Sequence, residues 1–172
     1  MNEKETAEEI KKRILILCVD RDGDIEKKAG INTPILGRNA NLEAAVSLAL
    51  SDPEESDSNA MFEAVRLYDN LQNEKQSEEI FEIATISGTE LGGVSADRKL
   101  VAELNNVIQT FNASEVILVT DGYSDEAILP LVESRVPVSS IRRIVVKHSE
   151  SIEETAALFS RYIKLIWETP RY

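Results

Sequence analysis

The chain holds one cysteine, Cys18, and one histidine, His148, in 172 residues. A single thiol excludes a disulfide framework within the chain, which suits a reducing compartment, and Cys18 stands in an apolar run where it reads as a small buried hydrophobe. A single imidazole excludes any site built on a histidine pair. A catalytic triad would need His148 itself, and no serine elbow accompanies it. No apolar run reaches the roughly 18 residues that cross a bilayer, and residues 1–12 are charged where a signal peptide needs an apolar segment. A domain that is not exported and works in the cytoplasm is expected. Positive charge is scarce as well: 19 Lys and Arg stand against 31 Asp and Glu, a net charge of −12. Such a surface repels phosphate backbones, so a broad nucleic-acid platform is not expected and anions are left to local basic pockets.

What the chain does have is apolar sequence in two alternating periods. Arg13-Ile-Leu-Ile-Leu-Cys-Val19 is continuous and stops at Asp20, the pattern of a strand buried on both faces of a parallel sheet. Runs at 79–86, 115–120 and 141–147 predict three more strands. Between them the period lengthens to three or four residues. Leu42, Ala45, Val46, Ala49 and Leu50 mark one helix; Met61, Phe62, Val65, Leu67, Tyr68 and Leu71 mark another, with a start signal in Asp52-Pro53-Glu54-Glu55. A third helix follows Ser95 through Val101, Leu104, Val107, Ile108 and Phe111. A short fourth lies near Ile128–Val132, interrupted at Pro130, and a last spans 152–167 with Ala156, Phe159, Tyr162, Ile163 and Ile166 on one side. The length supports one core. The reading is an α/β chain: a three-layer Rossmann-like domain over 13–167 with a mostly parallel sheet of four or five strands, a charged arm at 1–12 and a tail at 168–172.

In open parallel sheets ligands bind beyond the carboxyl ends of the strands. Here those ends are polar: Asp20-Arg-Asp22-Gly23-Asp24, then Ser87-Gly88, then Asp121-Gly122-Tyr-Ser-Asp125, then Lys147-His148-Ser149. With the first and third runs as neighbours, Asp20, Asp22, Asp121 and Asp125 would surround a hard divalent cation, and Mg²⁺ suits such oxygen ligands. Asp, Gly and Ser are also ordinary turn residues. A calcium EF-hand is excluded, because the glycine falls too early in the loop and Ile31 stands where a bidentate acid belongs. Gly37-Arg38-Asn39 before a helix, with Lys27 and Lys28 nearby, joins a guanidinium to helix-terminal N–H groups and marks a phosphate site. Ser87, Gly88 and Lys147 complete the candidate ligand-binding set. The long segment 20–39 reads as a loop of the kind that folds over a site.

Two resemblances sharpen these readings. Leu15-Ile-Leu-Cys-Val-Asp20-Arg-Asp22-Gly23-Asp24 resembles the first motif of haloacid-dehalogenase-type phosphotransferases. That likeness implies Asp20 as nucleophile, Asp22 as general acid/base, and Asp121 with Asp125 as further metal ligands. Asp24 departs from the hydroxyl or aliphatic residue of that motif, and Lys147 follows the acidic motif it should precede. Over nearly the whole chain, Cys18-Val-Asp-Arg-Asp-Gly-Asp-Ile25, Gly30 to Ala45, Ala49 to Ala60, Ala96-Asp-Arg-Lys-Leu100 and Val119-Thr-Asp-Gly122 together resemble an archaeal family, domain of unknown function family 373. The resemblance implies a cytosolic domain tethered to the membrane portion of a longer protein, and it brings no assigned activity. Two functions follow as expectations. One is a domain binding a divalent cation with a phosphate-containing or nucleotide ligand. The other is a non-enzymatic regulatory or assembly module, with a homodimer or the membrane portion as partner.

Overall fold

The computed structural model describes residues 11–74, 78–122 and 127–144. The helix expected at 152–167, the tail at 168–172, residues 1–10 of the arm, Asp125, Lys147 and His148 lie outside the described residues. In chain order the elements are β1 (Lys12–Asp20), α1 (Asp24–Ala29), β2 (Ile35–Leu36), α2 (Arg38–Ser51), α3 (Ser56–Glu74), β3 (Glu79–Ser87), α4 (Gly93–Phe111), β4 (Glu115–Thr120), α5 (Leu129–Glu133) and β5 (Val138–Arg143). They form an α/β fold around a five-stranded sheet in the order β2-β3-β1-β4-β5. β2 runs antiparallel to β3 and every other pairing is parallel.

β1 is central, and it is apolar from Ile14 to Val19 because both of its faces are covered there. Its side chains alternate between two clusters, as a strand requires. Leu15, Leu17 and Val19 join Ile86, Leu118, Leu100 and Leu104 of α4 and Val132 of α5. Ile16 and Cys18 join Ile83, Val119, Ile25 of α1, Leu48 of α2 and Met61 of α3. Each fully buried Leu or Ile contributes about 1.5–3 kcal/mol relative to exposure. A one-residue slip of β1 would exchange the two sets, so burial on both faces fixes its register. Asn41, wholly buried near the start of α2, ties that helix to the sheet edge. Its Nδ2 donates to the carbonyls of Gly37 (2.8 Å) and Ile35 (3.3 Å), and its Oδ1 accepts from the Thr85 hydroxyl (2.6 Å).

The segment 20–39 is not an open loop. It contains α1 and the two-residue β2, both too short to show a period in the sequence. Asp52 and Pro53 do not open α3 either. Asp52 terminates α2, the carboxylate of Asp52 accepts the Glu54 N–H (3.2 Å), and α3 begins at Ser56 with the Glu55 carboxylate accepting the Asp57 N–H (3.3 Å). The last described strand starts at Val138, three residues before the apolar run at 141, because pairing with Val116 to Thr120 sets its place and its side chains are mostly exposed. Pro130 stands in the first turn of α5, where its missing N–H costs nothing, and so begins that helix.

At Gly88 two loops come together closely. Its N–H donates to the Asp20 carbonyl at 2.7 Å, and a Cβ at this position would lie 2.0 Å from the carbonyl oxygen of Arg21. The loops after β1 and β3 therefore touch through bare backbone, which has no rotamer to yield. Gly88→Ala is expected to destabilise the fold by roughly 2–3 kcal/mol or more, read as a lower midpoint in urea. An unchanged midpoint would mean that the two loops separate freely.

Candidate functional site

β1 and β4 adjoin, with Cys18 opposite Val119, so Asp20 and Asp121 end at the same level of the sheet. From β1 the chain passes to β3 on one side, while β4 lies on the other. This reversal of direction is the switch point at which open α/β sheets leave a crevice.

Asp20 is 1% exposed and fully engaged. Its Oδ1 accepts the N–H groups of Asp22 (3.1 Å), Gly23 (2.9 Å) and Asp24 (3.2 Å), and its Oδ2 accepts the Ile25 N–H (3.0 Å) and the Ser87 hydroxyl (2.8 Å). A carboxylate has about four lone-pair positions, so protein donors occupy it and its visible work is to shape the turn into α1. Asp22 beside it is exposed. The Ser87 N–H donates to Glu103 Oε2 (2.9 Å), whose other oxygen accepts the Thr33 hydroxyl (2.8 Å). Ser87 and Gly88 thus join the strand ends to one another and to α4.

Arg38 lies elsewhere. The Gly37 N–H donates to the carbonyl of Ile83 (2.9 Å), which puts this corner beside the middle of β3 and beyond it by the width of β2, away from the strand ends. Arg38 forms a two-pronged pair with Asp69 of α3 at 2.6 and 2.7 Å and donates to Asn39 Oδ1 (3.3 Å). The guanidinium holds the Asp69 carboxyl below its ordinary range. The structure does not bring Arg38 and Asn39 together with the strand-end acids, because the antiparallel turn at β2 carries the chain back along β3. Lys27 pairs with Glu90 at 2.6 Å.

The convergence that sequence reasoning missed lies between the starts of α1 and α3. Oxygens of Asp24, Glu55 and Asp57 all fall within 4.8 Å of one another, and Glu55 and Asp57 are each 7% exposed. Lys28 Nζ reaches into the same place. It is 3.2 Å from Asp24 and 2.9 Å from Asp52, and it bonds to Glu55. Hydrogen bonds that Lys28 donates to Glu55 first and Asp52 second raise the ammonium pKa against the opposing effect of burial, and Lys28 in turn lowers that of Asp52. Ser56, between Glu55 and Asp57, donates its hydroxyl to Asp121 Oδ2 and so ties this group to the end of β4. The signal was present in Asp52-Pro-Glu-Glu-Ser-Asp57, which carries more acid than a helix start requires.

Asp52, Glu63 and Asp69 all have lowered carboxyl pKa values, from Lys28, Arg66 and Arg38 respectively. Lowered folded-state values contribute stability above the unfolded pKa, and that stability disappears as pH falls through the folded one. The melting temperature should therefore drop as pH is taken below about 4, and the drop should be shallower in Asp69→Asn. Identical acid limbs in the two proteins would show that the Arg38 pair contributes nothing to the folded state.

No solved structure matches the chain significantly. An uncharacterized protein of Archaeoglobus fulgidus is 42% identical over 149 residues, and one of Methanocaldococcus jannaschii is 40% identical over 158 residues. These matches cover 87% and 91% of this chain but 42% of each relative, so the chain spans less than half the length of the proteins it matches. A family model described as a domain of unknown function matches residues 13–171, and the chain belongs to that family, DUF373.

Proposed function

We propose that this chain is a ligand-binding domain whose crevice between β1 and β4 takes a divalent cation on Asp24, Glu55 and Asp57, and through it a phosphate-containing or nucleotide ligand. The observation that carries the reading is the meeting of those three carboxylates within 4.8 Å beside the switch in strand order, with Asp121 tied alongside by Ser56. Hard cations such as Mg²⁺ take oxygen ligands, keep several waters and are commonly completed by substrate phosphates. A cation also answers the electrostatics. Lys28 shares its one ammonium among the carboxylates of Asp24, Asp52 and Glu55, and a free phosphate would be repelled until a metal is in place.

In this reading Asp20 is a positioning residue. It grips the N–H of Asp24 and thereby aims the start of α1 at the site. Phosphotransfer with Asp20 as nucleophile has less support, since that carboxylate is spanned by five protein donors. The reading includes a three-layer Rossmann-like arrangement, supported by one hydrophobic cluster containing α4 and α5 and another containing α1, α2 and α3. It also includes a cytoplasmic setting with tethering through a longer protein. Among the described residues no helix is long and apolar enough to cross a membrane.

Lys28 competes for the same oxygens, which gives the test its sign. Mg²⁺ or Mn²⁺ at about ten times its Kd should raise the melting temperature by roughly 3–6 °C. Asp57→Asn should remove the rise, and Lys28→Met should bring it on at lower metal concentration. No shift with either ion at millimolar concentration, in the wild type and in Lys28→Met alike, would overturn the cation site.

A further inference from the structure

α4 buries Leu100, Leu104 and Val107 in the core, and its outer side forms one wall of a groove of about 430 Å³. Val94, Val101 and Ala102 line that wall, and Leu131 of α5 completes the lining. Val94 is 75% exposed, and Leu91, just before the helix, 88%. Exposed apolar surface framed by polar groups marks a site of association. Here the frame is positive, against a net charge of −12 for the chain. Arg98 lines the groove, and among the described residues its guanidinium has neither an ion-pair nor a hydrogen-bond partner. Arg135 stands at the far end, bonded to Asn105 Oδ1 (2.9 Å), the Leu131 carbonyl (2.8 Å) and Ser134 Oγ (2.7 Å). These acceptors are all neutral, so its charge is not cancelled. The acids close by are already engaged: Asp97 pairs with Arg21 at 3.2 Å and Glu90 with Lys27 at 2.6 Å. Glu133, two residues from Leu131, falls on the opposite side of α5. The start of α4 adds to the same sign, having no acid in its first turn and no side-chain cap.

Shape and charge together select an occupant. From Val94 to Asn105 the groove follows α4 for about 16 Å. Arg98 and Asn105, which holds Arg135, are about 10 Å apart along the helix axis, and the positive helix start lies beyond Arg98. A small amphiphile with a single carboxylate would answer one of these positions and leave the others. We propose that the groove docks an amphipathic helix of a partner protein, one whose aliphatic row enters between α4 and α5 and whose flank carries acids two turns apart. Helices recognised in this way insert side chains at i, i+3 or i+4, and i+7. The aliphatic row covers Val94, Val101 and Leu131, and the acids meet Arg98 and Arg135. At physiological salt the screening length is about 8 Å, so the two guanidiniums outweigh the more distant surface acids. α4 and α5 share a hydrophobic cluster that contains nothing from α1, α2 or α3, so the groove is separate from the carboxylates around Lys28.

The probe is a stapled, fluorescein-labelled helical peptide with leucines at i, i+4, i+7 and i+11 and glutamates seven residues apart on its flank. Fluorescence anisotropy with the full chain should show saturable binding, about tenfold or more weaker when the glutamates are replaced by lysines. Arg98→Glu should reverse that preference, and Val94→Ser should weaken binding several-fold. Both side chains are exposed, so both variants should keep the wild-type melting temperature. Since Cys18 is 1% exposed, an Ala102→Cys thiol reports alone, and the peptide should slow its labelling several-fold. No saturable binding up to submillimolar protein, or equal binding of the acidic and basic peptides, would overturn the proposal. So would an Ala102→Cys thiol that labels at one rate with and without bound peptide. Binding of laurate but not of the peptide, lost in Arg98→Glu, would assign the groove to a small amphiphile and overturn it equally.

Discussion

The fold at the carboxyl ends of the strands rests on one buried carboxylate. Asp20 gathers four backbone N–H groups from its own turn and a hydroxyl from the end of β3, and by doing so it converts the end of a strand into the start of a helix. Hydrogen bonds to a charged acceptor are stronger than neutral ones, about 1.5–3 kcal/mol each where a neutral bond contributes about 1. A buried charge is tolerable only with such company. Asp20 answers both conditions at once. The turn it holds then meets Gly88, whose lack of a side chain lets the β1 and β3 loops close on one another.

From that anchor the remaining acids acquire their positions. Asp24 is set by its N–H to Asp20, while Glu55 and Asp57 are set by the start of α3 and linked to β4 through Ser56 and Asp121. Lys28 completes the arrangement as an internal counter-ion, one helical turn beyond Asp24. Bringing several carboxylates together in a half-buried place is unfavourable without positive charge, and an ammonium is one way to supply it.

The acidity of the chain thus divides into parts with different physical roles. Asp20 is architectural, Asp69 and Glu63 pair with arginines on α2, α3 and β5, and the acids around Lys28 gather between the starts of α1 and α3. α2 shows the complementary feature. It is nearly uncharged and carries apolar side chains on two sides, which sets it apart from the acidic surface around it.

By itself the sequence determined the α/β class, a first strand buried on both faces and ending at Asp20, the main helices and the gathering of polar residues at strand ends, because burial on both faces leaves a continuous apolar run and burial on one face leaves a period. It did not show α1 or β2, whose six and two residues are too few to carry a period. Nor did it separate Asp20, as a residue that builds the turn, from Asp24, Glu55 and Asp57, as residues that face a common space. An Asp in a strand-end turn looks the same in sequence whether its oxygens point at backbone N–H groups or at a ligand. Only the tertiary structure decided that, by placing the start of α3 some thirty residues along the chain against the start of α1, and by sending Arg38 back along β3 away from them both.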